Sequence, residues 1–283
     1  MNQKNMLLYQ ALYLIKRIFV ILLLFVFVSC DKDTSEKEDV TGRIVLSFSQ
    51  KIDGEDIDYD TLRYVNAAGN PYMVNEIQYF ISDVRLYHEN GNIILINKWD
   101  DIHYIDTDIE STWQWEIPDE IEIGVYDSIN FVFGICEEKN KSYMFVNPPE
   151  RDMFWPDFLG GGYHYMKLNG KWLPEEGAQT IPFDFHMGIG QIYSGDTANV
   201  HDIIGFKQNY FTVSLHNSGF QISEKETKNF EIVMNVEEWF KNPEVYDHNI
   251  WHGYIMQNQD AMSIARRNGH NVFTIKIVDD TKL

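Results

Sequence analysis

Two histidines, His164 and His186, stand in consecutive alternating segments, 163–168 and 183–187, which read as the two arms of a hairpin. Side chains directly opposite one another in an antiparallel pair are ~5 Å apart at Cβ, close enough for two imidazoles to reach one ion. Setting residue 168 against 182 places 166 against 184 and 164 against 186. The pleat then gathers His164, Met166, Leu168, Asp184 and His186 on one face. Tyr163, Tyr165, Phe183, Phe185 and Met187, with Lys167 at the end, form an apolar core face. Imidazole and thioether donors together suit a soft or borderline ion, copper(I) above all, whereas calcium and magnesium want oxygen. Asp184 could hold an imidazole N–H and fix its tautomer. The same two histidines could instead occupy the wet face of a strand without any ion.

Other chemistry is sparse. The run 53–60 is rich in carboxylates, but it lacks EF-hand order, with Thr61 and Ala67 where a glycine and a glutamate are needed; calcium and a plain solvated loop both remain open. Cys136 reads as an inert thiol, or as a further soft donor if the fold brings it to the histidines. Gly-x-Ser-x-Gly and His-Glu-x-x-His are absent, and the glycine run 160–162 opens no helix, so a non-enzymatic role is expected.

The elements that must position these residues follow a period of two. Ile44, Leu46 and Phe48 alternate with polar residues, and similar stretches recur at 77–81, 84–87, 129–135, 211–215, 230–236 and 272–277. With no helical crossovers between them, they predict an all-β antiparallel β-sandwich. One or two short C-terminal helices are expected: Val236, Trp239 and Phe240 stand at helical spacing, and Asn258 can cap a helix that ends at Gly269.

The 283 residues are 44% hydrophobic and 14% aromatic, enough for one large core. The formal charge is −20, which disfavours nucleic acid as a partner. Lys4, Lys16 and Arg17 are the only charges in residues 1–29, and the 11 apolar residues 18–28 lead to Ser29-Cys30. That run is about half of the ~20 residues a bilayer span needs, so it reads as a secretory leader. The expected organisation is a signal peptide over 1–29, an acidic tether over 30–39 and one domain over 40–283. Ser29-Cys30 resembles a bacterial lipobox, which implies that Cys30 is the lipidated first mature residue and anchors the chain to a membrane; cleavage near Ser29 to give a free secreted protein is the alternative. Without the three leader cations the charge becomes −23.

The series Tyr79-Phe80-Ile81-Ser82-Asp83-Val84-Arg85-Leu86, Phe133-Gly134-Ile135, Met153-Phe154-Trp155 with Gly162-Tyr163, and Phe185-His186-Met187-Gly188 resembles the MbnP-like copper-binding family in order and spacing. Weaker similarity continues through 255–258 and 268–273. The resemblance implies a periplasmic or cell-surface β-sandwich, here an outer membrane lipoprotein, that binds copper. In some members the site uses histidines and a tryptophan oxidised to kynurenine, and a di-haem peroxidase-like protein is the partner. His186 matches the family's His-x-Gly position and Trp155 its Met-x-Trp position. Family members often carry a basic residue at the position of His164, and Asp157 replaces a second tryptophan. A different class of function is a surface lipoprotein that binds glycan or protein through exposed aromatics, with Trp113, Gln114 and Trp115 as its best platform.

Overall fold

The computed structural model describes residues 40–96 and 101–278; the expected leader, Cys30 and the tether lie outside the described residues. Strands of four or more residues are β1 (Thr41–Ile52), β2 (Pro71–His88), β3 (Ile102–Asp106), β4 (Gly124–Phe133), β5 (Met166–Trp172), β6 (Ile181–Met187), β7 (Gly190–Tyr193), β8 (Ile203–Lys207), β9 (Phe211–Leu215), β10 (Thr227–Asn235) and β11 (Phe273–Val278). Two α-helices follow late in the chain, α1 (His248–Trp251) and α2 (Gln259–Gly269).

The strands form two main sheets, one in the order β11-β10-β1 and the other β6-β5-β2-β4-β9, with β3 and several shorter strands added at the sides and β7-β8 forming a separate hairpin. Alternation translates directly into burial, as β1 turns Ile44, Leu46, Phe48 and Ile52 inward. Phe273 of the first sheet packs on Phe131 and Phe133 of the second at ring separations of 5.2 and 5.6 Å, so the core lies between the sheets. The all-β expectation holds. One departure is the pairing of β1 with β10, which is parallel. A parallel pair needs a long crossover, and the chain between Ile52 and Thr227, which includes all of the second sheet, supplies it.

At the C-terminal end α2 begins where expected, with the Asn258 side chain accepting the Ala261 N–H. The segment Val236–Phe240 is a 3-10 turn rather than an α-helix, and it buries Val236, Trp239 and Phe240 completely.

The β5-β6 pair is antiparallel, but its register is not the one the alternation suggested. Lys167 faces His186, Leu168 faces Phe185 and Met166 faces Met187. The cause is a local break at Tyr165. Its N–H donates to Met187 on β6 while its C=O accepts from Phe80 on β2, on the opposite side, whereas a regular strand residue directs both groups the same way. The pleat therefore changes phase between Tyr165 and Met166. Tyr163 and Tyr165 are buried, and so are Met166 and Leu168. Met166 thus belongs to the core face, on the other side of the sheet from His186.

Candidate metal centre

His186 sits near the C-terminal end of β6, half-buried, on the face opposite the core residues Phe185 and Met187. His164 precedes β5 in the irregular segment and is held against the turn that follows Pro149: its backbone N–H donates to the Met153 carbonyl at 2.7 Å. The phase change at Tyr165 brings the two rings together by a route other than direct cross-strand pairing. Their centroids are 5.2 Å apart and the planes are nearly perpendicular, at 87°.

The hydrogen bonds fix the tautomer of each ring. His164 Nδ1 lies 2.9 Å from the Met153 carbonyl oxygen, which can only accept, so Nδ1 carries the proton. His186 Nε2 lies 2.7 Å from Asn169 Oδ1, likewise an acceptor, so Nε2 carries the proton there. The remaining nitrogens, His164 Nε2 and His186 Nδ1, are buried and have no hydrogen-bond partner. Each keeps an unshared lone pair. Burial, the neighbouring His186 and the Lys167 ammonium hold His164 far below the usual histidine range. Burial and then Lys167 push His186 down to about 3. Both imidazoles are neutral near neutral pH, the form that ligates metal.

A third buried histidine gives the contrast. His248, which spacing does not single out, is completely buried among Phe183, Phe240, Tyr246 and Trp172. Its Nδ1 lies 3.1 Å from Asn66 Nδ2, a donor, so the proton sits on the unpartnered Nε2 and no lone pair is left over. His248 is a core histidine.

Trp155 is completely buried beside the pair, with its ring 4.7 Å from that of His164 at 73°. Its Nε1–H donates to the Leu159 carbonyl at 3.0 Å and its backbone N–H to the Gly162 carbonyl at 2.8 Å. Gly160, Gly161 and Gly162 all have positive φ, and this allows the loop to close around the indole. Asp157 ties the same loop down by accepting from Ser142 Oγ at 2.7 Å and from the Tyr143 hydroxyl at 2.5 Å.

The structure therefore brings His164, His186 and Trp155 together and leaves Met166 on the far face. Asp184 shares the face of His186, but Asn169, not Asp184, holds the imidazole N–H. Burial pushes the Asp184 carboxyl upward. Lys167, expected at the end of the core face, instead stands on the histidine face opposite His186, and Asn169, which sequence reasoning missed, stands opposite Asp184; both positions follow from the phase change. Cys136 is half-buried, and desolvation pushes its thiol upward, away from the thiolate. Of the aromatic platform, Trp113 is 39% exposed but Trp115 only 8%, its ring stacked on His103 at 5.0 Å. The carboxylates of 53–60 are partly engaged by cations, Asp56 by Lys51 and Asp58 by Arg63.

The donor set of two neutral imidazole nitrogens fits copper, and equally fits other borderline ions. The sequence matches the family model for MbnP over residues 41–259. The chain belongs to the MbnP family. Among solved structures, MbnP from Methylosinus trichosporium superposes with a TM-score of 0.51 at 13% identity, covering 84% of this chain and 99% of that one. At that identity the likeness speaks for the fold. No curated protein matches the sequence. In the structure the four landmark segments lie on β2 (79–86), at the end of β4 (133–135), in the tryptophan loop (153–163) and at the end of β6 (185–188).

Proposed function

We propose that this MbnP-family chain is a non-enzymatic, extracytoplasmic copper-binding protein that stores, takes up or delivers copper, with His164 and His186 as its protein ligands. The observation that carries the reading is the pair of buried, unpartnered lone pairs on neighbouring rings, His164 Nε2 and His186 Nδ1. A buried polar atom without a partner costs about 1–3 kcal/mol, and a bound ion would recover that cost at both atoms together. Two nitrogen donors with no carboxylate, beside the Lys167 cation, favour a monovalent ion, so copper(I) is the expected state. Trp155 lies against His164 as the aromatic neighbour of the ion. The acidic surface raises the local concentration of cations.

Cys30 is the proposed lipid attachment point, placing the protein on the outer membrane, at its periplasmic or cell-surface face. A di-haem peroxidase-like protein is the proposed partner, on the family resemblance. Elemental analysis joined to intact mass tests the reading on protein exported with its own leader. The expected result is one copper per chain and a mass corresponding to a lipidated chain beginning at Cys30. Copper no higher in the wild type than in a His164→Ala/His186→Ala variant would overturn the assignment.

A further inference from the structure

Glu76 lies on β2, Asn169 on β5 and His186 on β6, and a single hydrogen-bonded line crosses the three strands. Asn169 Nδ2 donates to Glu76 Oε2 at 3.0 Å, and Asn169 Oδ1 receives the His186 Nε2 proton at 2.7 Å. Gln78 Nε2 secures the far end, donating to Glu76 Oε1 at 2.9 Å and to Asp106 Oδ2 at 3.0 Å. A register shift between Asn169 and Gly170 sets Asn169 against Glu76 and Gly170 against Val74. Gly170 is required at this bulge because a Cβ there would collide with the Met73 carbonyl oxygen. Bulges of this kind re-aim side chains near functional sites.

We propose that Glu76 is a positioning residue which, through Asn169, decides which nitrogen of His186 presents its lone pair to His164. The proposal takes its purpose from the metal-binding reading above, while its geometry stands apart from it. Glu76 accepts through both carboxylate oxygens, from Gln78 and from Asn169, so it directs the Asn169 NH2 group away from His186 and the amide oxygen toward it. That oxygen can only accept, so the His186 proton stays on Nε2 and the lone pair stays on Nδ1. With Glu76 gone, the amide is free to rotate by 180° and offer its NH2 group instead. His186 Nε2 then becomes the acceptor, the proton moves to Nδ1, and an N–H faces His164 where a lone pair stood. Support of this kind around a ligating histidine typically changes metal affinity by about 10–100-fold.

The test reads the tautomer in the metal-free protein, where copper plays no part. Ring 15N shifts of His186 are recorded in the wild type, in Glu76→Leu and in the double variant Glu76→Leu/Asn169→Asp, with folding checked by circular dichroism. The wild type is expected to show a protonated Nε2 and a pyridine-type Nδ1. Glu76→Leu is expected to exchange the two signals and to weaken copper(I) binding by about 10–100-fold. In the double variant the carboxylate introduced at position 169 accepts without direction from Glu76, so both properties should return. An unchanged His186 tautomer in Glu76→Leu overturns the proposal. If Glu76→Leu does not fold, Asn169→Leu takes its place, and a His186 still held wholly in the Nε2–H form there overturns it equally. A wild type with the expected tautomer but no copper affinity would remove the metal reading and leave the positioning role intact.

Discussion

Gly188 lies directly against the indole of Trp155: a Cβ on its backbone would stand 2.5 Å from Cε3 and 2.6 Å from Cζ3. The glycine two residues after His186 therefore has a steric reason, since β6 can end beneath the tryptophan only without a side chain at that point. Trp155 packs in turn on His164, so the glycine, the indole and the histidine pair are set by one contact. Gly188→Ala should force the indole outward and destabilise the protein by about 1–3 kcal/mol. Urea denaturation followed by tryptophan fluorescence measures this; an unchanged midpoint would show that the ring has room to spare.

Met166 belongs to the core face, opposite Met187 in register. Met166→Leu is a volume-conserving exchange expected to cost less than ~1.5 kcal/mol. It should leave copper(I) affinity unchanged in a competition titration. A tenfold loss of affinity would return the thioether to the ligand set.

Asp83, 5% exposed, sits at a positive φ on β2 and meets Lys139 Nζ at 2.7 Å, while the same ammonium contacts Asp101. Desolvation opposes the Lys139 charge, but the hydrogen bonds it donates to Asp101 and Asp83 outweigh this and raise its pKa. Lys139→Met would leave the buried Asp83 carboxylate with only the more distant Arg85 guanidinium, 4.0 Å away. The predicted loss is about 1.5–3 kcal/mol by chemical denaturation, that of a charged hydrogen bond in a partly solvated site. A loss below ~0.5 kcal/mol would place the pair among surface ion pairs of little consequence.

Burial pushes His248 from its ordinary 6.5 down to about 3. Between these values the unfolded chain binds a proton that the folded chain refuses. The stability contributed by the neutral ring is therefore complete above 6.5 and is lost as pH falls toward 3, with a slope of ~1.4 kcal/mol per pH unit. His248→Gln removes that proton from the balance, so its urea midpoint should fall less steeply than that of the wild type over roughly pH 4 to 6. Parallel slopes for the two proteins would contradict the burial of a neutral imidazole.

Much of the fold is legible in the period of two where a strand has one buried face, as β1 and β9 do, whereas β2 buries both faces over residues 79–84. The helix capped by Asn258 is legible for the same local reason. The histidine pair is legible as a convergence but not as a register. Apolar residues at 163 and 165 are followed by apolar residues at 166 and 168, and that adjacency marks the phase change which reverses the faces of Met166 and Lys167. Asn169 and Glu76 leave no local signal, since their roles arise from pairing between strands more than 90 residues apart. His248 reads as a loop residue because its burial comes from α1 folding over Phe183 and Phe240, which spacing does not express.

Copper(I) competition titration against a chromophoric chelator, run on the wild type, His164→Ala and His186→Ala, tests the central assignment most directly. The two unpartnered nitrogens predict one tightly held ion in the wild type and loss of that ion in each single variant. Full wild-type affinity in either variant would contradict the account.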